Sequence, residues 1–461
     1  MQLPFISTDV FEGHYPINFY FQKQGYNGRP ALLGTPGLKT WCDTEYRTEV
    51  RGAHKLNSSI AYSVVGEKVF RHGISGNKQE CSGSLITNHG IVEMESNGTY
   101  VMIVDGAYGY YVLGLTVTRI TDPDFPIPSS LSYQDGYFPV TSKDTGRFFI
   151  SPLNDPTGNW SALDYTSAEG MPDYAMRAFM LHREMIIFGQ ESTEPFQNVG
   201  SADFPFSRLN GIFIETGLAA TEAVCKMDNT AFWLADDYTI RRMQSETPLV
   251  ISPEALNRII YSYPTKSDAF SFSYKQDGNS FAVFTFPSAN ATWVYNAATQ
   301  AFHQWSSGLA EGRHRSNCHM VFAGKNLVGD YQNGKIYELS GTTYTDDGEP
   351  IRRKRISPPL FDPDGRRSIT YHTVEAEFKS GVGLTTGQGS NPQVMLRYSD
   401  DNCKTWSNEK WRSIGAIGKY KDRARWHQLG SARMRNYELA VSDPIEPVLM
   451  NFYGDVTKNA S

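Results

Sequence analysis

Short apolar pieces recur along this chain at intervals of roughly 40–55 residues. They include GEKVF around Val69, GYYVLG around Tyr110, TAFWLADDYTIRRM around Trp233, TWVYNAATQAFHQW around Val294 and GKIYELS around Ile336. Several share one grammar. A strand of alternating Val, Tyr or Ile runs into polar or Gly residues and then into a second strand. In residues 293–308 the pattern is plainest: a strand, a tight turn at Ala297–Gln300, and a strand ending on Trp305. The interval matches one four-stranded propeller blade, and radial closure leaves only short sheet edges. From Pro30 to Glu349 the repeat gives about six or seven blades.

The texture changes after YTDDGEPIRRKRISPPLFDPDGRR, residues 344–367, a Pro-, Asp- and Arg-rich stretch that reads as a junction. Beyond it lie period-2 runs such as TVEAEF, in which Val374, Ala376 and Phe378 face one way and Glu375 and Glu377 the other. The expected class is therefore all-β, a propeller followed by a small C-terminal β-sandwich-like domain. The expected divisions are an N-terminal arm at 1–29 joining the first blade, the propeller at 30–349, the junction at 350–367, and an antiparallel β domain at 368–461. One helix is expected, in SPEALNRIIYSY (252–263). Ser252 would cap it, Pro253 would sit at its first position, and Leu256, Ile259, Ile260 and Tyr263 would line one face.

Composition supports this class. Aromatic residues make up 13% of the chain, with Gly (40) and Pro (24) plentiful and long helical runs scarce. The five cysteines, Cys42, Cys81, Cys225, Cys318 and Cys403, are scattered, odd in number and without a CxxC pair. Reduced thiols are expected, and neither a disulfide framework nor a cysteine zinc site. The opening MQLPFISTDVFEGHYP has no basic segment followed by an apolar one, so no secretory signal is expected, and no apolar run is long enough for a transmembrane helix. Residues 351–461 hold 18 Lys and Arg against 12 Asp and Glu, a net of +6, and residues 1–350 hold 25 against 37, a net of −12. An acidic body with a basic end speaks against a general DNA-binding protein and for different neighbours at the two ends.

Four local patterns carry chemical meaning. RYSDDNCKTWSN (397–408) contains Ser399-x-Asp401-x-x-x-Thr405-Trp406, the spacing of an Asp-box. There an Asp binds loop N–H groups and a Trp packs beneath the hairpin, which folds a turn and performs no catalysis. Cys403 stands where Gly is usual, which places the positive φ at Asn402. EGRHRSNCHM (311–320) offers His314, Cys318 and His319 near His303, but the segment reads as a turn entering a strand, with Cys318 a small buried hydrophobe. IRRKRIS (351–357) concentrates Arg352, Arg353, Lys354 and Arg355, and it fits a solvated linker, a docking strip for an acidic protein surface, or a nucleic-acid contact. Arg423, Arg425, Arg433 and Arg435 follow, each pair at i, i+2 spacing and so on one face of a strand. DPDG (362–365) and YTDDGE (344–349) read as turns. No P-loop, GxGxxG, HExxH or GxSxG motif is present, which lowers the expectation of enzyme activity; no catalytic residue, cofactor or metal is expected.

The opening YPINFYFQK…GRPALLGTPGLKTW resembles that of the packaged-DNA stabilisation proteins of short-tailed bacteriophages, the tail hub or nozzle proteins. The likeness continues through ITDPDFP, YQDGYFPV, GRFFISPLNDPTGNWSALDYTSAEGMPD and STEPFQNVGSADFPFSRLNGIFIETGLAA. It extends into GRHRSNCHMVFAGKNLVGDYQNGKIYEL and GVGLTTGQGSNPQVMLRYSDDNCKTWSNEKWRSIG, and so covers nearly the whole chain. Cys403 in the Asp-box and Pro195 after STE depart from the family pattern. The resemblance implies a β-propeller core and a virion tail protein assembled in the host bacterial cytoplasm. It implies a homo-hexameric ring below the portal and its adaptor. The ring would close the DNA channel around a needle or plug and carry tail fibres or spikes. Genomic double-stranded DNA would pass the lumen without sequence-specific binding, and no membrane insertion is implied. A virion-associated propeller that binds or depolymerises glycans is the alternative; depolymerisation would need paired carboxylates about 5–10 Å apart in a groove.

Overall fold

The computed structural model describes residues 5, 8, 13–168, 170–201, 204–209, 211–364 and 367–459. Most of residues 1–12, the start of the expected arm at 1–29, and Gly365 of DPDG therefore lie outside the described residues. Two compact units emerge. The first comprises Met1–Lys39, Ala291–His314 and Ser340–Ser461; the second comprises Thr40–Asn290 and Arg315–Leu339.

The second unit is the propeller. Its inner strands are Val50–Lys55, Glu93–Ser96, Pro128–Leu131, Ala175–Leu181, Val224–Met227, Phe270–Gln276 and Ser316–Phe322. Each opens a module, so the ring has seven positions, the upper of the two expected counts. The first five modules are complete four-stranded antiparallel meanders, referred to here as blades 1 to 5. Blade 6 contributes the Phe270–Gln276/Asn279–Phe286 hairpin to this unit. Beside the last strand of blade 7, residues 40–43 run from the amino-terminal side, and Thr44 donates through N–H (3.3 Å) and Oγ1 (2.7 Å) to Gly334 O. The ring closes where blade 7 meets blade 1: Asn317 Nδ2 donates to Val50 O at 3.0 Å. An apolar cluster seals the same seam with Val50, Val65, Phe70, Met320, Phe322 and Ile336. Similar clusters fill the seams between blades 1 and 2, 2 and 3, 3 and 4, and 4 and 5. At these five seams the core is thus distributed around the ring, one apolar layer to each.

Turn chemistry explains why consecutive strands fold back on themselves. Asp228 (φ 47°) and Asn229 (φ 62°) link Met227 to its partner Thr230, and Asp277 (φ 48°) with Gly278 (φ 74°) links Gln276 to Asn279. Two consecutive positive φ values twist the link to match the strands, which suits Asp, Asn and Gly. The helix spans Glu254–Ser262 with Leu256 and Ile260 buried. Its cap differs from expectation. Pro253 occupies the N-cap with no side-chain bond. The Ser252 hydroxyl is instead engaged by Ile240 N–H at 2.9 Å.

The first unit holds two packed sheets. One has the order Phe19–Tyr26, Arg29–Gly34, Val448–Lys458, Ile369–Phe378, Ala424–His427, with Ser431–Ala432 also pairing Ile369–Phe378. The other has the order Arg353–Ile356, Met434–Val441, Gln393–Ser399, Lys410–Ser413, with Leu360–Phe361 also pairing Met434–Val441. Phe19, Leu32, Tyr371, Val374, Trp426 and Tyr437 belong to their shared core. In Ile369–Phe378 the buried positions include 374, 376 and 378, as the alternation requires.

Two expected divisions are corrected here. Residues 19–34 do not join a blade: they form two strands of the sandwich, with Leu32 opposite Leu449 and Leu33 opposite Val448. The 350–367 stretch is not a free junction, because Arg353–Ile356 is a strand paired with residues 438–441. Both errors have one cause. A period-2 pattern shows that a segment is a strand but not which sheet recruits it.

Asn18 pins the segments of this unit together. It has φ 54°, and its side chain donates to Ser306 O and Arg352 O, both at 2.8 Å, while Ser306 N–H donates to its Oδ1 at 2.9 Å. The hairpin Ala291–Asn296/Ala301–Trp305 packs in the same unit, turning at 297–300 as expected.

Candidate functional site

The inner strands bring charge to the propeller axis. Glu93, Arg177 and Glu222 come from blade 2, blade 4 and the link into blade 5. Arg177 Nη1 lies 2.8 Å from Glu93 Oε1 and 2.6 Å from Glu222 Oε2, and it donates to Thr221 O at 2.9 Å. Glu93 Oε2 accepts Leu131 N–H of blade 3 at 2.6 Å. Four consecutive blade positions are therefore tied by one ionic cluster. Burial raises the Glu93 carboxyl well above the carboxylate range, against the pull of Arg177. Burial likewise pushes Glu95 up to about 7, again opposed by Arg177. Burial lowers the pKa of Arg177, but Glu93 and Glu222 raise it further, so the guanidinium stays charged. These groups line a cavity of about 200 Å³ with His54, Phe272, Cys318 and His319. Burial drops both imidazoles to about 4, so they are neutral at pH 7. The cavity is smaller than the ~300–1,000 Å³ typical of small-molecule sites. Its two best-placed carboxylates are also occupied by one arginine, an arrangement suited to locking blades together.

The basic residues singled out from the sequence divide. Arg353 and Arg355 are fully buried in the sandwich unit, so neither belongs to a docking strip. Arg353 donates to Ile351 O and Tyr344 O, and burial lowers it to about 10. Arg355 Nε donates to Phe5 O at 3.3 Å. Lys354 is ion-paired to Glu311, and Arg352 lies 3.7 Å from Glu409 and 3.8 Å from Glu438. The solvated-linker reading fails with the strip, because strand pairing within the unit buries all of 353–356, Lys354 included, whatever their charge. Arg435 is buried too. It forms two bonds to Asp400 (2.6 and 2.7 Å), donates to Leu429 O, and stacks over Tyr398 at 4.1 Å. Arg433 is exposed, so the 433/435 pair does not share a face. Arg423 and Arg425 do share one: both are exposed, and they converge on Glu375 at 2.7 and 2.6 Å.

The loop 399–406 is a closed local device. Asp401 accepts from Lys404 N–H (3.1 Å), Thr405 N–H (2.8 Å) and the Thr405 hydroxyl (2.5 Å), and Ser399 Oγ donates to it at 2.7 Å. The Thr405 hydroxyl is the leading cause that holds Asp401 down to about 2. Trp406 packs half-buried under the Arg397 guanidinium at 4.8 Å. Asn402 and Cys403 both take φ 64°, one more positive φ than the Asn402 reading supplied. A β-carbon at positive φ costs about 1–2 kcal/mol, which glycine avoids. Cys403→Gly is therefore expected to raise stability by about 1 kcal/mol, read as a higher thermal midpoint; an unchanged or lower midpoint would contradict this.

His314 is buried beside Trp305 (4.6 Å), whereas Cys318 and His319 lie on the inner strand of blade 7. His319 stacks on Phe272. Among the described residues no three His, Cys, Asp or Glu side chains gather as metal ligands, and no helix is long and apolar enough to cross a membrane. Sequence reading missed Glu93, Arg177 and Glu222. The available signal was a lone charge within an otherwise apolar first strand of a blade, as in YAMRAFML.

A family model described as bacteriophage P22 Gp10, β-propeller, matches residues 1–344, and one described as bacteriophage P22 Gp10, β-sandwich, matches residues 355–456. No curated protein matches the chain. Similar solved structures include virginiamycin B lyase from Staphylococcus aureus, at 11% identity and TM-score 0.46, covering 66% of this chain and 98% of that one. The WD40 β-propeller domain of Doa1 is similar at 12% identity and TM-score 0.42, covering 66% and 97%.

Proposed function

The chain belongs to the bacteriophage P22 Gp10 family, whose members are structural phage tail proteins, and on that premise we propose that it works as the hub of the tail. Six copies form a ring beneath the portal and its adaptor. The ring encloses the channel through which the genome leaves, holds packaged DNA behind a needle or plug, and carries fibres or spikes. The observation that carries this reading is the match of both domains of the chain, in order, to one tail protein. The charge division supports it. A channel that retains DNA and later releases it must not grip phosphate, and a body of net −12 repels the duplex and lets it slide. The basic end, net +6, then faces protein neighbours. No catalysis enters this reading, and the ionic cluster on the propeller axis serves as a rivet.

The test is the mass of the native protein, alone and mixed with a portal–adaptor complex. A protein that is monomeric alone and adds six copies to the complex is the expected result. A protein that ignores the complex, or that releases oligosaccharide from host-surface glycan, would overturn the proposal. A ring in which residues 351–461 line the lumen would overturn the charge argument alone.

A further inference from the structure

Two surfaces of this chain have opposite charge and matching texture. On the sandwich unit, Lys410–Ser413 and Ala424–His427 are the last strands of their respective sheets. They lie side by side: Arg412 Nε donates to Arg425 O and Trp426 Nε1 to Lys410 O, both at 2.8 Å. One corner of the sandwich thus brings together the last strands of both sheets. It also presents large side chains that a lone chain gains nothing by exposing: Trp411 is 49% exposed and Tyr420 69%. Arg412 and Lys421 are exposed beside them, and among the described residues neither has a carboxylate partner. Exposed Trp, Tyr and Arg together are the composition of interface hot spots.

On the propeller unit, loops of blades 3 to 5 and the link into blade 6 enclose a surface depression of about 790 Å³. Met171, Met176, Leu218 and Tyr238 give it apolar walls, and Glu191, Glu215 and Asp236 bring three carboxylates and no lining base. Lys266 flanks it, spread over the Tyr238 ring at 4.5 Å. Methionine and tyrosine accommodate an inserted ring, and the carboxylates suit guanidinium and ammonium groups around it.

We propose that this depression receives the Trp411/Arg412 corner of a second copy of the chain. This rests on the ring reading above, and it names the contact that propagates the ring. A closed cyclic assembly needs a heterologous contact between two different, complementary surfaces of one chain. The opposite net charges of the two parts of the chain orient that contact, the basic end of one copy meeting the acidic body of the next.

The experiment uses the full chain with the portal–adaptor complex and reads the number of bound copies by mass. Arg412→Glu with Lys421→Glu reverses one surface; Glu191→Lys with Glu215→Lys reverses the other. Lys421, Glu191 and Glu215 make no ion pair among the described residues, so their reversals should unfold at the parent's midpoint; Arg412→Glu also gives up the bond to Arg425 O, and Lys421→Glu alone reverses charge without that loss. Each reversal alone is expected to weaken assembly by about tenfold or more, and the fourfold variant, with charges exchanged, to recover most of that loss. Unweakened assembly of either reversed variant, or absence of recovery in the exchanged one, overturns this contact while leaving the ring intact. Failure of the parent chain to assemble at all overturns the ring reading itself. Trp411→Ser is a second probe that leaves charge untouched: it should weaken assembly with unchanged salt dependence, and full assembly of this variant counts against the proposal.

Discussion

Arg177→Met is expected to destabilise the propeller by about 3–5 kcal/mol, the typical cost of removing one partner from a buried ionic cluster. The loss does not measure the worth of the ion pairs. It arises because Glu93 stays buried, 6% exposed, and Glu222 half-buried, 25% exposed, without their shared cation. The defect should therefore depend on pH. Without Arg177, burial and the neighbouring Glu222 push the Glu93 carboxyl up against the Leu131 N–H alone, and it avoids the penalty only by binding a proton. Urea midpoints should show a smaller defect near pH 5 than near pH 8. Replacing both glutamates by Gln in the Arg177→Met background should recover much of the stability. A defect that is constant across this range would mean that packing of the long side chain, and not charge, dominates.

Glu95 supplies the matching control. Its carboxyl titrates near 7 in the folded chain and near the ordinary value of about 4.3 in the unfolded chain. Between these values the folded state holds the extra proton, so stability falls as pH rises through the window and is level above it. Glu95→Gln removes that slope. The variant should match the parent near pH 4 and exceed it at pH 8.

Asn18→Ala is expected to cost the sandwich unit about 3–5 kcal/mol, with loss of the cooperative transition the more extreme outcome. The amide bonds two carbonyls and one N–H across sequence separations of 288 and 334 residues. Deleting it strands these buried groups and leaves alanine at φ 54°. Asn18→Gly relieves the backbone strain while still losing the bonds, so it should recover only about 1–2 kcal/mol. Hydrogen exchange at Ser306 N–H gives a local readout. If its protection were the same in Asn18→Ala, the amide would not be the tether described here.

The propeller was legible because its information is local. Val224–Met227, Thr230–Leu234 and Ile240–Gln244 are short strands cut by Asp-Asn and Asp-Asp turns, and such sets recur at similar intervals along the chain. The Asp-box was legible for the same reason, since all its bonds fall within residues 399–405. The basic run 352–355 was misread because its fate depends on a distant strand, residues 438–441. A charged run looks solvated until a pairing partner, invisible in the run itself, decides which side chains turn inward.

By itself the sequence determined the strand alternation, the turn positions, the blade interval, the acidic–basic division and the family likeness. Those follow from contacts between near neighbours, from summed composition, or from motif order. Only the tertiary structure decided the seven-fold ring, the recruitment of residues 19–34 into the sandwich, the inward turn of Arg353, Arg355 and Arg435, and the meeting of Glu93, Arg177 and Glu222. Each of these sets a side chain or strand against a partner far away in the chain. A strand's period of two states that one face is buried and is silent about what buries it.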